Sequence, residues 1–307
     1  MKRNSLEVSL ACLAVFVLAL VACSRRGSLA PSPASTQDVS TSIQESALPS
    51  TSTSIAPSPT PLPLAALVNG AEITLVEYQA ELALYQAASG VEPSVEEQQR
   101  VLNDLIDETL LSQAAAEKGF VVDDALYQER TTRLAEQLGG EQALVQWMAS
   151  YQYDEVSFRR ALARSIAAAW MRDQIIAAVP RSAEQIHARQ ILLYNSDQAN
   201  EVYALLQAGN DFGNLALKYD PVTGGDLGWF PRGFLLDPKL EEIAFGLQLD
   251  QFSPVVQTLA GYHVLQVIER DPQRPLDPQA LLILQAQAVE DWLKARRLES
   301  DVQIMAP

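Results

Sequence analysis

The sequence predicts an α+β protein: a helical N-terminal domain completed by a C-terminal helix, with a small α+β domain inserted before that helix. Three observations predict it. Between residues 74 and 178, apolar side chains recur every three or four positions behind helix-capping signals. From about Ser182 the pattern changes to strand-like runs, brief helices and clustered glycines. Residues 278–298 then return to helical spacing, and Leu281, Leu284, Ala288 and Trp292 share a face that needs a surface to cover it.

Bulk properties limit the functions open to such a chain. It has 307 residues, 48% of them hydrophobic, which is enough apolar material for a core. The formal net charge is -16. That balance opposes binding to nucleic acid or to an anionic membrane surface, both of which want a basic face.

In chain order, residues 1–22 read as a leader. Lys2 and Arg3 precede an uncharged apolar run from Val8 to Ala22, shorter than the ~20 residues of a membrane-spanning helix. The run ends in Leu20-Val21-Ala22-Cys23, which resembles a bacterial lipobox. The resemblance implies cleavage before Cys23, lipid on that cysteine, and an extracytoplasmic protein anchored to the cell membrane. Cys12 and Cys23 are the only cysteines, so the mature chain would hold no disulfide and no free thiol for catalysis. Residues 23–63 are dominated by Ser, Thr, Pro and Ala. They cannot bury enough apolar surface to offset backbone ordering, so they read as a tether.

The folded part opens at Leu64. Asn69-Gly70 is a turn signal between two short strands. Thr74 with Glu77, and Ser94 with Glu97, form capping boxes for the first two helices. Gly119 stands where the second should end. Further helices are expected over 123–138, 141–150 and 154–178, with Pro180 as the stop. The helical domain is thus placed at 64–179, the α+β domain at 180–272 and the C-terminal helix within 273–307. Inside the α+β domain the pattern gives a strand at 185–194, helices at 197–208 and 211–218, a short helix near 238–245, and a strand pair around 254–268.

Three strings in that domain carry the chemistry: His187-Ala188-Arg189-Gln190-Ile191-Leu192-Leu193, Gly224-Gly225-Asp226-Leu227-Gly228-Trp229-Phe230, and Gly261-Tyr262-His263-Val264-Leu265-Gln266-Val267. Their order and spacing resemble a parvulin-type peptidyl-prolyl isomerase domain over residues 186–270. The preceding segment is similar to the N-terminal chaperone domains of extracytoplasmic foldases of the SurA and PrsA kind. The resemblance implies a catalytic site with two facing histidines, a Cys or Asp on the loop before Gly-Gly-Asp, and an apolar slot for the proline ring. It makes His263 the second of those histidines. It puts Gln190 where the first should stand, and leaves Asp220, in the short Tyr219-Asp220-Pro221-Val222-Thr223 loop, as the candidate for the acidic role. Leu235 or Leu236, with Leu240 and Phe245, would wall the slot. His187 cannot replace Gln190, because residues three apart on a regular strand face opposite ways.

The expected function is that of a lipid-anchored foldase that isomerises X-Pro bonds in secreted or membrane-emerging polypeptides, without a cofactor. A holdase that has lost the chemistry through Gln190 and the short loop is the alternative. A tethered solute-binding lipoprotein is the remote one. With two histidines and no available cysteine, no metal-ligand cluster of the usual spacing is visible, nor is a phosphate-binding glycine loop.

Overall fold

The computed structural model describes residues 63–306. The expected leader, Cys23 and nearly all of the tether lie outside the described residues. The chain divides into two compact units, one holding the described residues up to Ile106 with 122–163 and the chain end from Gln303, the other holding 107–121 and 164–302.

In the first unit, strands β1 (Leu64–Val68) and β2 (Ala71–Thr74) form the expected hairpin, with Asn69 and Gly70 at positive φ in its turn. Helix α1 (Leu75–Ser89) starts on the predicted capping box. Glu77 N–H donates to Thr74 Oγ1 at 3.3 Å, while Thr74 N–H and its hydroxyl both donate to Glu77 Oε2 at 2.9 Å. Glu77 is fully buried and also accepts from Arg160 Nε at 3.0 Å, so the box is tied to a distant helix. Helix α2 (Val95–Glu117) contributes its N-terminal half to this unit, followed by α3 (Asp124–Leu138), α4 (Glu141–Ser150) and the start of α5 (Glu155–Ala177). Trp147, Tyr153 and Phe158 pack ring on ring there, at centroid separations of 5.9 to 6.3 Å.

The sequence reading ended at the C-terminal helix, but one more strand follows. β7 (Val302–Ile304) extends the first sheet to the order β2-β1-β7, and the N–H groups of Met305 and Ala306 donate to Ala65 O. Three residues are too few to show a period, so the pattern could not predict it.

The second unit is built on a four-stranded antiparallel sheet, order β4-β3-β6-β5. Its strands are β3 (Ser182–Leu193), β4 (Asp226–Pro231), β5 (Val256–Gln257) and β6 (Tyr262–Pro275). The side chains alternate between two cores. Ile186, Ala188, Leu265 and Val267 face Phe230 and helix α8 (Pro238–Gly246). Ile191, Leu193 and Val264 face helices α6 (Ser196–Gln207) and α7 (Phe212–Tyr219). β6 runs past the expected end near Ile268 and past Pro272. The register shift between Ala183 and Gln185 falls at the proline, and the buried Gln185 side chain donates to the carbonyls of Arg274 and Pro275. Helix α9 (Pro278–Leu298) belongs to this unit too. Arg297 Nε donates to Asp107 Oδ1 at 2.6 Å, and Arg296 pairs with Glu117, both acids lying on α2.

Candidate active site

His263 lies one residue into β6, where its backbone pairs with Leu192 of β3 and Val256 of β5. The turn before it is closed by Thr258 N–H donating to Gly261 O at 2.8 Å. Gly261 has φ +145, and a Cβ there would fall 2.5 Å from the carbonyl oxygen of Leu193. The turn can therefore approach β3 only with glycine at this position.

Because Gln190 stands two residues before Leu192 on β3, it shares a face with His263. Gln190 Oε1 lies 2.8 Å from His263 Nδ1, and Thr258 Oγ1 lies 2.9 Å from Nε2. Thr258 Oγ1 also accepts from Ala260 N–H at 3.0 Å. These contacts assign one direction to the chain. The Ala260 amide donates to Thr258, the Thr258 hydroxyl donates to Nε2, and Nδ1–H donates to Gln190. His263 is 4% exposed. Burial lowers its pKa below the usual histidine value, and the charge of Asp237 pulls weakly the other way. The ring is thus held neutral and in one tautomer. Thr258 is the site residue that the sequence reading missed. Its one signal is its place at the start of a tight turn, five residues before the histidine.

Gln190 is fixed through its backbone. Its N–H donates to Gly225 O at 2.8 Å, which joins β3 to the glycine turn. Gly225 has φ +72, and a Cβ on it would overlap the carbonyl oxygen of Gln190. Asp220 organises the same turn. Oδ1 accepts from the N–H groups of Val222 and Thr223 at 3.1 Å each, and Oδ2 from the Thr223 hydroxyl. The Thr223 bond is the main reason that the Asp220 pKa is lowered. The structure thus gives Asp220 a turn to hold, and the hydroxyl against His263 comes from Thr258.

His187 is placed elsewhere, as strand alternation requires. Its Nε2 lies 2.8 Å from Asp226 Oδ1 and its Nδ1 3.3 Å from Glu269 Oε1, with the ring stacked on Trp229. Asp226 also accepts from Gly228 N–H at 2.8 Å. Burial opposes ionisation of Asp226, but the Gly228 amide and His187 outweigh it and lower its pKa.

On the His263 face, Leu240 and Phe245 are buried in the cluster with Phe230, and Leu235 packs half-buried against it. Phe245 meets Phe230 edge-on at 6.1 Å, under the guanidinium of Arg232. Leu236 does not join them: its side chain is fully exposed. Phe234, half-buried and stacked 6.3 Å from Phe230, stands in the cluster instead. The arrangement offers an apolar wall on the face of a buried, neutral, hydrogen-bonded imidazole. Among the described residues no group of His, Cys, Asp and Glu could hold a metal ion.

Residues 178–269 match the PPIC-type PPIASE domain family, and residues 61–148 match the SurA-like N-terminal domain. The Foldase protein PrsA of Oceanobacillus iheyensis is 30% identical over 213 residues, covering 66% of this chain and 67% of that protein. The Foldase protein PrsA of Halalkalibacterium halodurans is 32% identical over 130 residues, 39% of each chain. The Chaperone SurA of Burkholderia thailandensis is 35% identical over 144 residues, 40% of this chain and 32% of that protein. The matches thus span from about a third to two thirds of these relatives' lengths.

Proposed function

Because this chain belongs to the family of the foldase PrsA, we propose that it is an extracytoplasmic foldase, lipid-anchored through Cys23, that accelerates cis-trans isomerisation of X-Pro bonds in unfolded, newly exported polypeptides. One observation carries the reading. The Gln190–His263–Thr258 chain lies on the same sheet face as the apolar cluster of Phe234, Leu235 and Leu240, inside the segment that matches the isomerase domain.

The chemistry asks for that combination. Rotation about an X-Pro amide crosses a barrier of ~18–20 kcal/mol, between ends that differ by only ~0.5–1 kcal/mol. No bond breaks, so a catalyst needs no nucleophile. It must bind the twisted amide better than the planar one. An apolar wall would hold the proline ring and exclude water, and fixed polar groups beside it would stabilise the carbonyl or the nitrogen as resonance is lost. The helical domain would hold the flanking unfolded chain. Among the described residues no helix is long and apolar enough to cross a membrane; the proposed attachment rests on the Leu20-Val21-Ala22-Cys23 string.

The test is exchange NMR on X-Pro tetrapeptides with residues 64–307. Rate enhancement that drops in His263→Ala supports the isomerase. Gln190, standing in place of a family histidine, favours a second reading, a holdase. That reading predicts suppressed aggregation of unfolded clients with no enhancement for any residue before proline. Labelling with radioactive palmitate, lost in Cys23→Ser, tests the anchor.

A further inference from the structure

The segment between β4 and α8 carries Phe234 and Leu235, the half-buried side chains that close the apolar cluster on the His263 face. Three successive backbone amides of this segment converge on one carboxylate. Gly233 N–H donates to Glu241 Oε1 at 2.7 Å, and the N–H groups of Phe234 and Leu235 donate to Oε2 at 3.0 and 3.1 Å. Such charge-assisted bonds are about twice as strong as neutral ones, and three amides around one anion form a preorganised nest. Glu241 sits in the first turn of α8, where Asp237 already caps the N–H groups of Lys239 and Leu240. Its side chain can therefore turn back to the loop.

The other side of the segment is closed as well. Gly233 has φ +84, and a Cβ there would overlap the Gln287 side chain and lie 3.0 Å from Leu284 Cδ2, both on α9. The loop is held between the Glu241 carboxylate and α9. We infer that Glu241 is a positioning residue for the isomerase site: it fixes the Phe234–Leu235 wall at the spacing that grips the proline ring. The inference rests on the isomerase reading above.

The test compares Glu241→Gln, Glu241→Asp and Asp211→Ala in residues 64–307. Asp211 caps α7, on the opposite core, and touches nothing in the site. Glu241→Gln is expected to lower kcat/KM for an X-Pro tetrapeptide about tenfold, chiefly through KM, which corresponds to losing one charge-assisted bond. Amide exchange at residues 233–235 should quicken by a similar factor, and Glu241→Asp should fall between the two. Asp211→Ala should lower the urea midpoint comparably and leave kcat/KM intact. Unchanged kcat/KM and unchanged amide exchange in Glu241→Gln overturn the inference, as does an equal loss of kcat/KM in Asp211→Ala. If the natural chain accelerates no peptide, the isomerase reading fails separately. Peptide affinity by NMR shift titration then decides: weaker binding in Glu241→Gln upholds the positioning role, and equal binding ends it.

Discussion

Gly225→Ala strikes the joint between the glycine turn and the site. The added Cβ would overlap the Gln190 carbonyl oxygen and lie 3.0 Å from its carbon, while the backbone stays at φ +72. To reach ordinary contact the turn and β3 must part by roughly 1.6–2.2 Å. That movement breaks the 2.8 Å bond from Gln190 N–H to Gly225 O, worth about 1 kcal/mol. The left-handed backbone costs an alanine a further ~1–2 kcal/mol. A lower unfolded-state entropy returns about 0.4–1 kcal/mol. Steric strain comes on top, so a net loss of about 2–4 kcal/mol is expected, a large share of a typical ~5–15 kcal/mol. Gln190 moves with β3, so its 2.8 Å bond to His263 Nδ1 should break as well. Urea unfolding measures the first effect and the 15N spectrum of the His263 ring the second. A midpoint unchanged within error, with the ring signals in place, would refute the tight joint.

Five further outcomes are expected. The His263 ring, kept neutral chiefly by burial, should leave the isomerisation rate flat through neutral pH and reduce it only on the acid side. A rate that falls already above the ordinary value of 6.5 would contradict this. In stability the unfolded ring takes its proton first, so the contribution is full above 6.5 and is lost as pH drops from there towards the lower folded value. Asp237→Asn keeps a capping side chain but removes the charge that raises the His263 pKa, so an NMR titration should show that pKa falling further. Gln190→His puts a second ionisable ring beside the first and should add an acid-side step to the pH–rate profile; a profile identical to that of the natural chain would show the two positions uncoupled. In the first unit, Glu77→Ala removes the buried acceptor of Thr74 and Arg160 and should cost about 2–3 kcal/mol in urea unfolding; a loss below 0.5 kcal/mol would mean that the box matters little.

What the sequence made legible follows physical range. Capping boxes and strand alternation act over three or four residues. The helix starts at Thr74 and the opposite placing of His187 and Gln190 were therefore readable. The Gln190–His263 pairing was readable because a motif supplied the register of β3 against β6. Loop side chains obey no period. Leu236 and Phe234 look alike in sequence, yet Leu236 points to solvent and Phe234 stacks on Phe230. Asp220 precedes a proline and could serve a turn or a site, and its bonds from the Val222 and Thr223 amides show that it holds the turn. Thr258 was hidden because its partner lies across the turn it starts.

The same geometry bears on the substitution at Gln190. A second imidazole there would bring an ionisable group against a buried ring, and two rings sharing a hydrogen bond titrate as a pair. The Gln190 amide oxygen accepts the hydrogen bond from Nδ1–H and does not itself titrate. Protonating His263 would also force the Thr258 hydroxyl away from Nε2, and its other acceptor among the described residues, Gly261 O, stands at 3.5 Å. The chain from Ala260 to Gln190 is therefore saturated in one sense, with no proton to pass on. A reaction that breaks no bond does not require one. It requires fixed dipoles beside an amide whose charge distribution changes as it twists, and glutamine supplies a dipole as well as histidine does. On the isomerase reading proposed above, Gln190 would narrow the pH response of the site without removing what the rotation needs.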